Sequence, residues 1–193
     1  MKINNTPYTI YLLIFLFLFI GCKEKKVVPT IQILSNTDVE EGTGTQPLNW
    51  FQSKVAPYKL DWTTEESFSP TRSLKISTTQ SEPVNISFWG QSISSNLPLG
   101  KDLLLSVRIK TKNLVGQGVS IALRADNTLT NPTPDGFTIV TTQTMINGTQ
   151  DWTEYSVTMS SLRQDAVSIR IFLIYLTGTT GEVYFDEITL KHN

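Results

Sequence analysis

Side chains able to do covalent or proton-transfer chemistry are scarce in this sequence. It holds one histidine (His192), one cysteine (Cys22) and 17 carboxylates among 193 residues. His192 stands one residue from the end, where a chain is expected to be disordered, so it offers no Ser-His-Asp triad, Cys-His pair or histidine-based zinc site. Two carboxylates would suit a glycosidase, but 17 acids put some pair within reach by chance. GTGT at residues 42–45 follows an acidic stretch and fits no phosphate-binding loop. These exclusions predict a protein that is not an enzyme.

The chemistry that remains is non-covalent recognition by aromatic and planar polar side chains. In VNISFWGQSI (84–93) alternation sends Val84, Ile86 and Phe88 to one face and Asn85, Ser87, Trp89, Gln91 and Ile93 to the other. With the first set in the core, Trp89 and Gln91 form a platform. A flat ring would meet the apolar C–H face of a sugar and a planar amide its hydroxyls. Neighbouring strands add Arg108 with Lys110, Arg124 with Asp126, and Arg170, each on the outward face of an otherwise apolar strand. A structural reading stands beside this one. The connection over residues 42–70 carries Trp50, Phe51, Tyr58, Trp62 and Phe68 and must pack somewhere. By covering Trp89 it would bury it, and arginines on a solvent-facing sheet are ordinary.

The elements that must position these residues are strands. No segment shows an apolar stripe at helical spacing over three turns, whereas two-residue alternation recurs along the chain. SLKIST (73–78), VNISFWGQSI (84–93), LLLSVRIKTK (103–112), VSIALRA (119–125), FTIVTTQT (137–144), TEYSVTM (153–159), VSIRIFLIY (167–175) and EVYFDEITL (182–190) all alternate. TIQIL (30–34) and YKLDW (58–62) bring the expectation to about ten strands. PLGK, VGQG, NPTPDG, INGTQ and TGTTG supply Gly, Asn, Asp and Pro for the reversals between them. Short strands at this spacing, each with one apolar face, predict an all-β fold: two stacked antiparallel sheets forming a sandwich over residues 30–193.

The first 29 residues read differently. YLLIFLFLFI (11–20) is shorter than the roughly 20 residues that span a bilayer, and fits the apolar core of a secretory signal peptide after Lys2. The run stops at Gly21-Cys22, which resembles the lipobox of bacterial lipoproteins. That resemblance implies a signal peptide over 1–21, cleavage before Cys22, acylation of the cysteine, and a tether over 22–29 beginning with the solvated KEKK. Several acyl chains on one residue give a stable membrane anchor. No Asp follows Cys22, so an outer-membrane lipoprotein is expected, with the leaflet open. From Cys22 onward the chain has 15 basic and 17 acidic residues and no basic cluster beyond Lys23, Lys25 and Lys26, which argues against nucleic acid as a partner.

Two further stretches carry a resemblance: NTDVEEGTGTQPLNW (36–50), and NGTQDWTEYSVTM (147–159) with its sequel VSIRIFLIYLTGTTGEVYFDEITL (167–190). With RSLKIS, WGQSI and SVRIKTKN between them, in order from about residue 33 to 190, the chain resembles the carbohydrate-binding modules of families four, nine and twenty-two, within the galactose-binding-like group. The resemblance implies a jelly roll that binds oligo- or polysaccharide, with Trp152 and Tyr155 as core and corner residues. It also implies a structural calcium held by Glu40 and Asp186, with main-chain carbonyls near Ser73. A hard cation of this kind takes six or more oxygens. Fold does not dictate function, so two expectations stand: a non-catalytic glycan-binding lipoprotein, or a structural lipoprotein that meets envelope proteins with the same sandwich.

Overall fold

The computed structural model describes residues 30–53, 55–80, 85–129 and 134–193. Cys22, the leader and the tether lie outside the described residues, as does Val84. In chain order the strands are β1 (Ile31–Gln32), β2 (Gly42–Thr43), β3 (Gln46–Pro47), β4 (Phe51–Gln52), β5 (Lys59–Thr63), β6 (Ser73–Thr78), β7 (Ser87–Ile93), β8 (Leu103–Asp126), β9 (Phe137–Thr141), β10 (Ile146–Met159), β11 (Ser168–Tyr175) and β12 (Thr180–His192). A single 3-10 turn, Pro134–Gly136, precedes β9. Pairing is antiparallel throughout.

The strands form two layers. The front layer runs β4-β7-β11-β8-β9, using residues 119–126 of β8. The back layer runs β10-β8-β12-β6-β5, using residues 103–111 of β8, with β1 beside the end of β12. This is the two-sheet antiparallel jelly roll that the alternation predicts. The short β2-β3 hairpin stands apart.

One expected reversal is a corner instead. VGQG does not end a strand: β8 runs unbroken for 24 residues and passes from one layer to the other there. Asn113, Gly116 and Gly118 take left-handed backbone (φ 50°, 106° and 83°). A Cβ on Gly116 would lie 1.9 Å from the Gly178 carbonyl oxygen, and one on Gly118 2.2 Å from that of Ile146. The glycines let two backbones cross where any side chain would hold them apart.

The core lies between the layers. Leu103, Leu105, Val107 and Ile109 from the back half of β8, and Val119, Ile121, Leu123 and Ala125 from its front half, are fully buried, as are Ile169, Ile171, Leu173, Leu74, Ile76, Val183 and Phe185. Each large apolar side chain so buried stabilises the fold by about 1.5–3 kcal/mol.

Trp89 belongs to this set, which corrects the platform expectation. It is 0% exposed, and its indole N–H crosses the sandwich to the Lys75 carbonyl at 3.1 Å. The face assignment of β7 is reversed: Ser87, Trp89 and Gln91 point inward, while Phe88, Gly90 and Ser92 lie in the outward rows. Both parities of this strand carry an aromatic residue, so alternation alone did not decide which set is core. A one-residue choice of that kind moves every side chain to the other face. His192, expected to be disordered, pairs with Ile31 and Leu103 at the end of β12.

Candidate functional site

The two outward faces of the sandwich are the surfaces on which exposed side chains can converge. On the back face the connection between β5 and β6 lies across the sheet. Phe68 packs edge-on against Trp152 at 6.0 Å, so Trp152 sits half-buried outside the sheet rather than in the core as expected. Tyr155 is half-buried, its hydroxyl donating to Gln150 at 2.8 Å. Charges on this face are matched. Lys75 reaches Glu65 at 2.6 Å and Glu182 at 2.9 Å, and Lys110 reaches Glu66 and Asp151, each at 3.1 Å. Lys112 also pairs with Glu66. Burial pulls the Lys75 ammonium down, but its bonds to Glu65 and Glu182 outweigh that and hold it above the usual lysine range. Arg108 sits here as well, 3.3 Å from Glu154 and 4.0 Å from Glu187, with its guanidinium over Phe68.

Glu40, Asp186 and Ser73 meet at the same connection. One Asp186 oxygen accepts from the Phe68 and Ser69 amides at 2.7 and 2.8 Å; the other accepts from the Ser69 hydroxyl at 2.6 Å and the Glu187 amide at 2.7 Å. Glu40 accepts from the amides of Thr71 and Arg72 at 2.9 and 2.8 Å and from the Thr71 hydroxyl. The Ser73 hydroxyl donates to the Glu66 carbonyl at 2.6 Å. The residues implied for calcium therefore do not fit a cation as they stand. Their oxygens face N–H and O–H donors, which a metal would have to displace, and the two carboxylates instead fasten residues 68–72 at both ends. Burial pushes the Asp186 carboxyl up against the pull of its donors. No cluster of three or more His, Cys, Asp or Glu suited to a metal occurs among the described residues.

The front face is built otherwise. Ser168, Arg170, Phe172 and Ile174 share one side of β11 because they are two apart, while Ile169, Ile171, Leu173 and Tyr175 fill the core. Register places Arg170 beside Arg124 of β8 and Ser92 of β7, and Phe172 beside Ala122 and Gly90. Phe51 of β4 lies over Gly90, where a Cβ would come within 2.7 Å of its ring. Phe51, Phe88 and Phe172 form an edge-to-face cluster with centroids 5.3–6.4 Å apart. Phe51 is 38% exposed and Ile139, opposite Arg124 on β9, is 45% exposed.

Beside these rings two arginines share one carboxylate. Asp126 is fully buried, and one of its oxygens accepts from Arg124 Nε and lies 2.7 Å from another of its guanidinium nitrogens. Arg170 Nε stands 3.7 Å from the second oxygen, which has no hydrogen bond, and the cross-strand Ser168 hydroxyl also lacks one. The Arg124 guanidinium is stacked 4.1 Å from the Phe137 ring centre. Without Asp126, adjacent like charges on neighbouring strands would destabilise the pairing.

Of the five expected ligand contacts, the structure brings only Arg124 and Arg170 together. Trp89 is core. Gln91 is buried and clamps the N-terminal segment, its amide oxygen accepting from the Ser35 N–H and its amide nitrogen donating to the Ser35 carbonyl, both at 3.0 Å. Arg108 is on the opposite face. Phe51, Phe88 and Phe172 went unseen as partners. Phe172 shares parity with Arg170 in SIRIFLIY, which was the available signal; nothing local marks Phe51. The largest cleft, about 500 Å³, lies elsewhere, lined by Pro57, Lys59, Thr78, Gln80, Asn113 and Glu182 among others, with no aromatic ring or arginine in its wall.

No protein-family model matches the sequence, and no curated protein matches it. Solved structures do match the fold. A cyclase from Fischerella sp. TAU superposes with a TM-score of 0.61 at 16% identity over 86% of this chain and 98% of the cyclase. A family 16 carbohydrate-binding module gives 0.51 at 18% identity, over 70% and 86% of the two chains. A tandem of family 22 carbohydrate-binding modules from Paenibacillus barcinonensis gives 0.57 at 13% identity, over 84% of this chain and 46% of that one. At such identities the likeness is one of architecture: this chain has the jelly-roll sandwich that these carbohydrate-binding modules and the cyclase share.

Proposed function

We propose that this chain is a non-catalytic carbohydrate-binding lipoprotein of the bacterial envelope, anchored through acylated Cys22 and meeting glycan with its front face. One observation carries the reading: on a fold shared with carbohydrate-binding modules, Phe51, Phe88 and Phe172 gather beside Arg124 and Arg170 on one outward face. Rings suit the C–H faces of sugars and guanidinium donors their oxygens. The full chain in detergent should bind oligosaccharides on a glycan array, and Phe172→Ala should abolish the signal. Sugars converted to new products on incubation would overturn the non-catalytic part. A fatty-acid analogue should label wild type and not Cys22→Ser; equal labelling of both would remove the anchor from the proposal.

A second reading has its own support. The three rings meet edge to face at 84–88° rather than lying open side by side, and with Phe51 38% exposed they make an apolar patch of the sort that protein partners cover. Under that reading no glycan binds and the chain co-purifies with an envelope protein in a manner that Phe51→Ala disrupts.

A further inference from the structure

Resting on the carbohydrate reading, we infer that the glycan is anionic: the front face takes a uronate, a sugar bearing a carboxylate, with its ring on Phe172 and its carboxylate on Arg170.

The charge count of the cluster leads there. Asp126 is fully buried and neutralises Arg124, which it grips at 2.7 Å. That leaves Arg170 as a positive charge in excess, held near the second Asp126 oxygen at 3.7 Å, beyond hydrogen-bond reach. Its one hydrogen bond among the described residues is a long one, 3.4 Å, to the Leu129 carbonyl. Residues 130–133, outside the described residues, are Thr-Asn-Pro-Thr and contain no acid. A guanidinium has five donors in a planar fork that matches a carboxylate in pairs. Among the described residues most of that capacity is uncommitted.

Spacing supplies the rest. Arg170 and Phe172 are two apart on one strand and on one face, about 6.6 Å along the sheet. A pyranose centred on the Phe172 ring would hold its carboxylate oxygens about 3–4 Å from its own centre, and a hydrogen bond of about 2.8 Å to a guanidinium would complete that spacing. Arg124 beside it is fixed by Asp126 and Phe137, so the pair of guanidiniums keeps one member committed and one available. On the back face Lys75, Lys110 and Lys112 are each matched to a carboxylate, and Arg108 lies between two, Glu154 and Glu187.

The test compares each polymer with its own neutral form. The full chain in detergent is titrated with polygalacturonate, alginate and glucuronoxylan, each beside its methyl ester. At least one acid form should bind tenfold or more tightly than its ester, and the preference should weaken with added salt. Arg170→Gln should bring acid and ester to within twofold. Arg170→Lys should keep part of the preference even if Arg170→Gln unfolds, and Arg108→Gln on the back face should keep all of it. Equal binding of acid and ester overturns the uronate inference and leaves the carbohydrate reading standing, as does binding of neutral glycans alone. A preference that survives Arg170→Gln overturns the site. Failure of every glycan, acidic or neutral, removes the carbohydrate reading and this inference with it.

Discussion

The back and front faces of this sandwich share β8 and the same two-residue alternation, yet they end in different states. On the back face, residues 64–72 lie over the sheet, Phe68 on Trp152, and Lys75, Lys110 and Lys112 each have a carboxylate within 3.1 Å. On the front face two arginines divide one buried aspartate, and three phenylalanines meet edge to face. Strand pattern decides which residues leave the core. Connections decide which of them stay available. A network of paired charges favours rigidity, and a face with a surplus donor beside half-exposed rings favours a ligand.

The largest effect should come from the layer both faces share. Trp89→Ala removes the indole that crosses the core and should lower stability by about 3–5 kcal/mol, read from the denaturant midpoint. Wherever the variant is still folded, its glycan affinity should match wild type. A folded Trp89→Ala that no longer binds would break the comparison, because it would make the core residue part of the contact surface.

The back-face cover comes next. Asp186→Ala strands the amides of Phe68, Ser69 and Glu187 together with the Ser69 hydroxyl. Unsatisfied buried groups cost about 1–3 kcal/mol each without adding fully, so about 3 kcal/mol is expected for the set. Front-face binding should survive. Chelator should leave the wild-type melting midpoint where it is, since these carboxylates already have their donors. A fall of several degrees in chelator would mean that a cation takes their place.

On the front face the balance reverses: binding should suffer more than stability. Phe172 is half-buried and loses two ring contacts on truncation, each worth about 0.5–1.5 kcal/mol. Phe172→Ala should therefore destabilise by about 1–3 kcal/mol, less than Trp89→Ala, while removing glycan binding. Equal losses of stability for the two variants would mean that the front rings are a second core rather than a contact surface.

These residues also mark how far the sequence could be read. The ladder of β6 was legible because Leu74 and Ile76 are its only apolar residues, and that of β11 because Ser168 and Arg170 mark the row opposite Ile169, Ile171 and Leu173. The parity of β7 was not, since Phe88 and Trp89 are neighbours and what decides between them is distant: Lys75 offers a carbonyl to the indole, and Phe51 needs the bare backbone of Gly90. The reversal expected at VGQG failed for a similar reason, because glycine permits a corner as readily as a turn. Arg124 and Arg170 were visible as outward interruptions of apolar strands. Their meeting over Asp126 follows from register between segments more than 40 residues apart, which composition does not encode.

The smallest expected effect is a pH slope, and it arises on the back face. Lysine hydrogen bonds hold the Glu65 and Glu66 carboxyls below the usual glutamate range. A depressed carboxyl stabilises the fold above its unfolded pKa and loses that contribution as pH falls through the folded one, so these groups weaken the protein below the ordinary carboxylate range. Asp186 has the opposite sign: burial raises it, so the folded state takes up a proton first and stability rises slightly as pH falls into the window just above the ordinary aspartate range. The two contributions oppose one another, so Asp186 offsets part of the loss of stability in acid. Asp186→Asn should make the melting midpoint fall more steeply with acid than in wild type, and Glu66→Gln should make it fall less steeply. A shallower acid fall in Asp186→Asn would mean that the Asp186 carboxyl is held down by its four donors rather than up by burial, and that the back-face connection is fastened by charge.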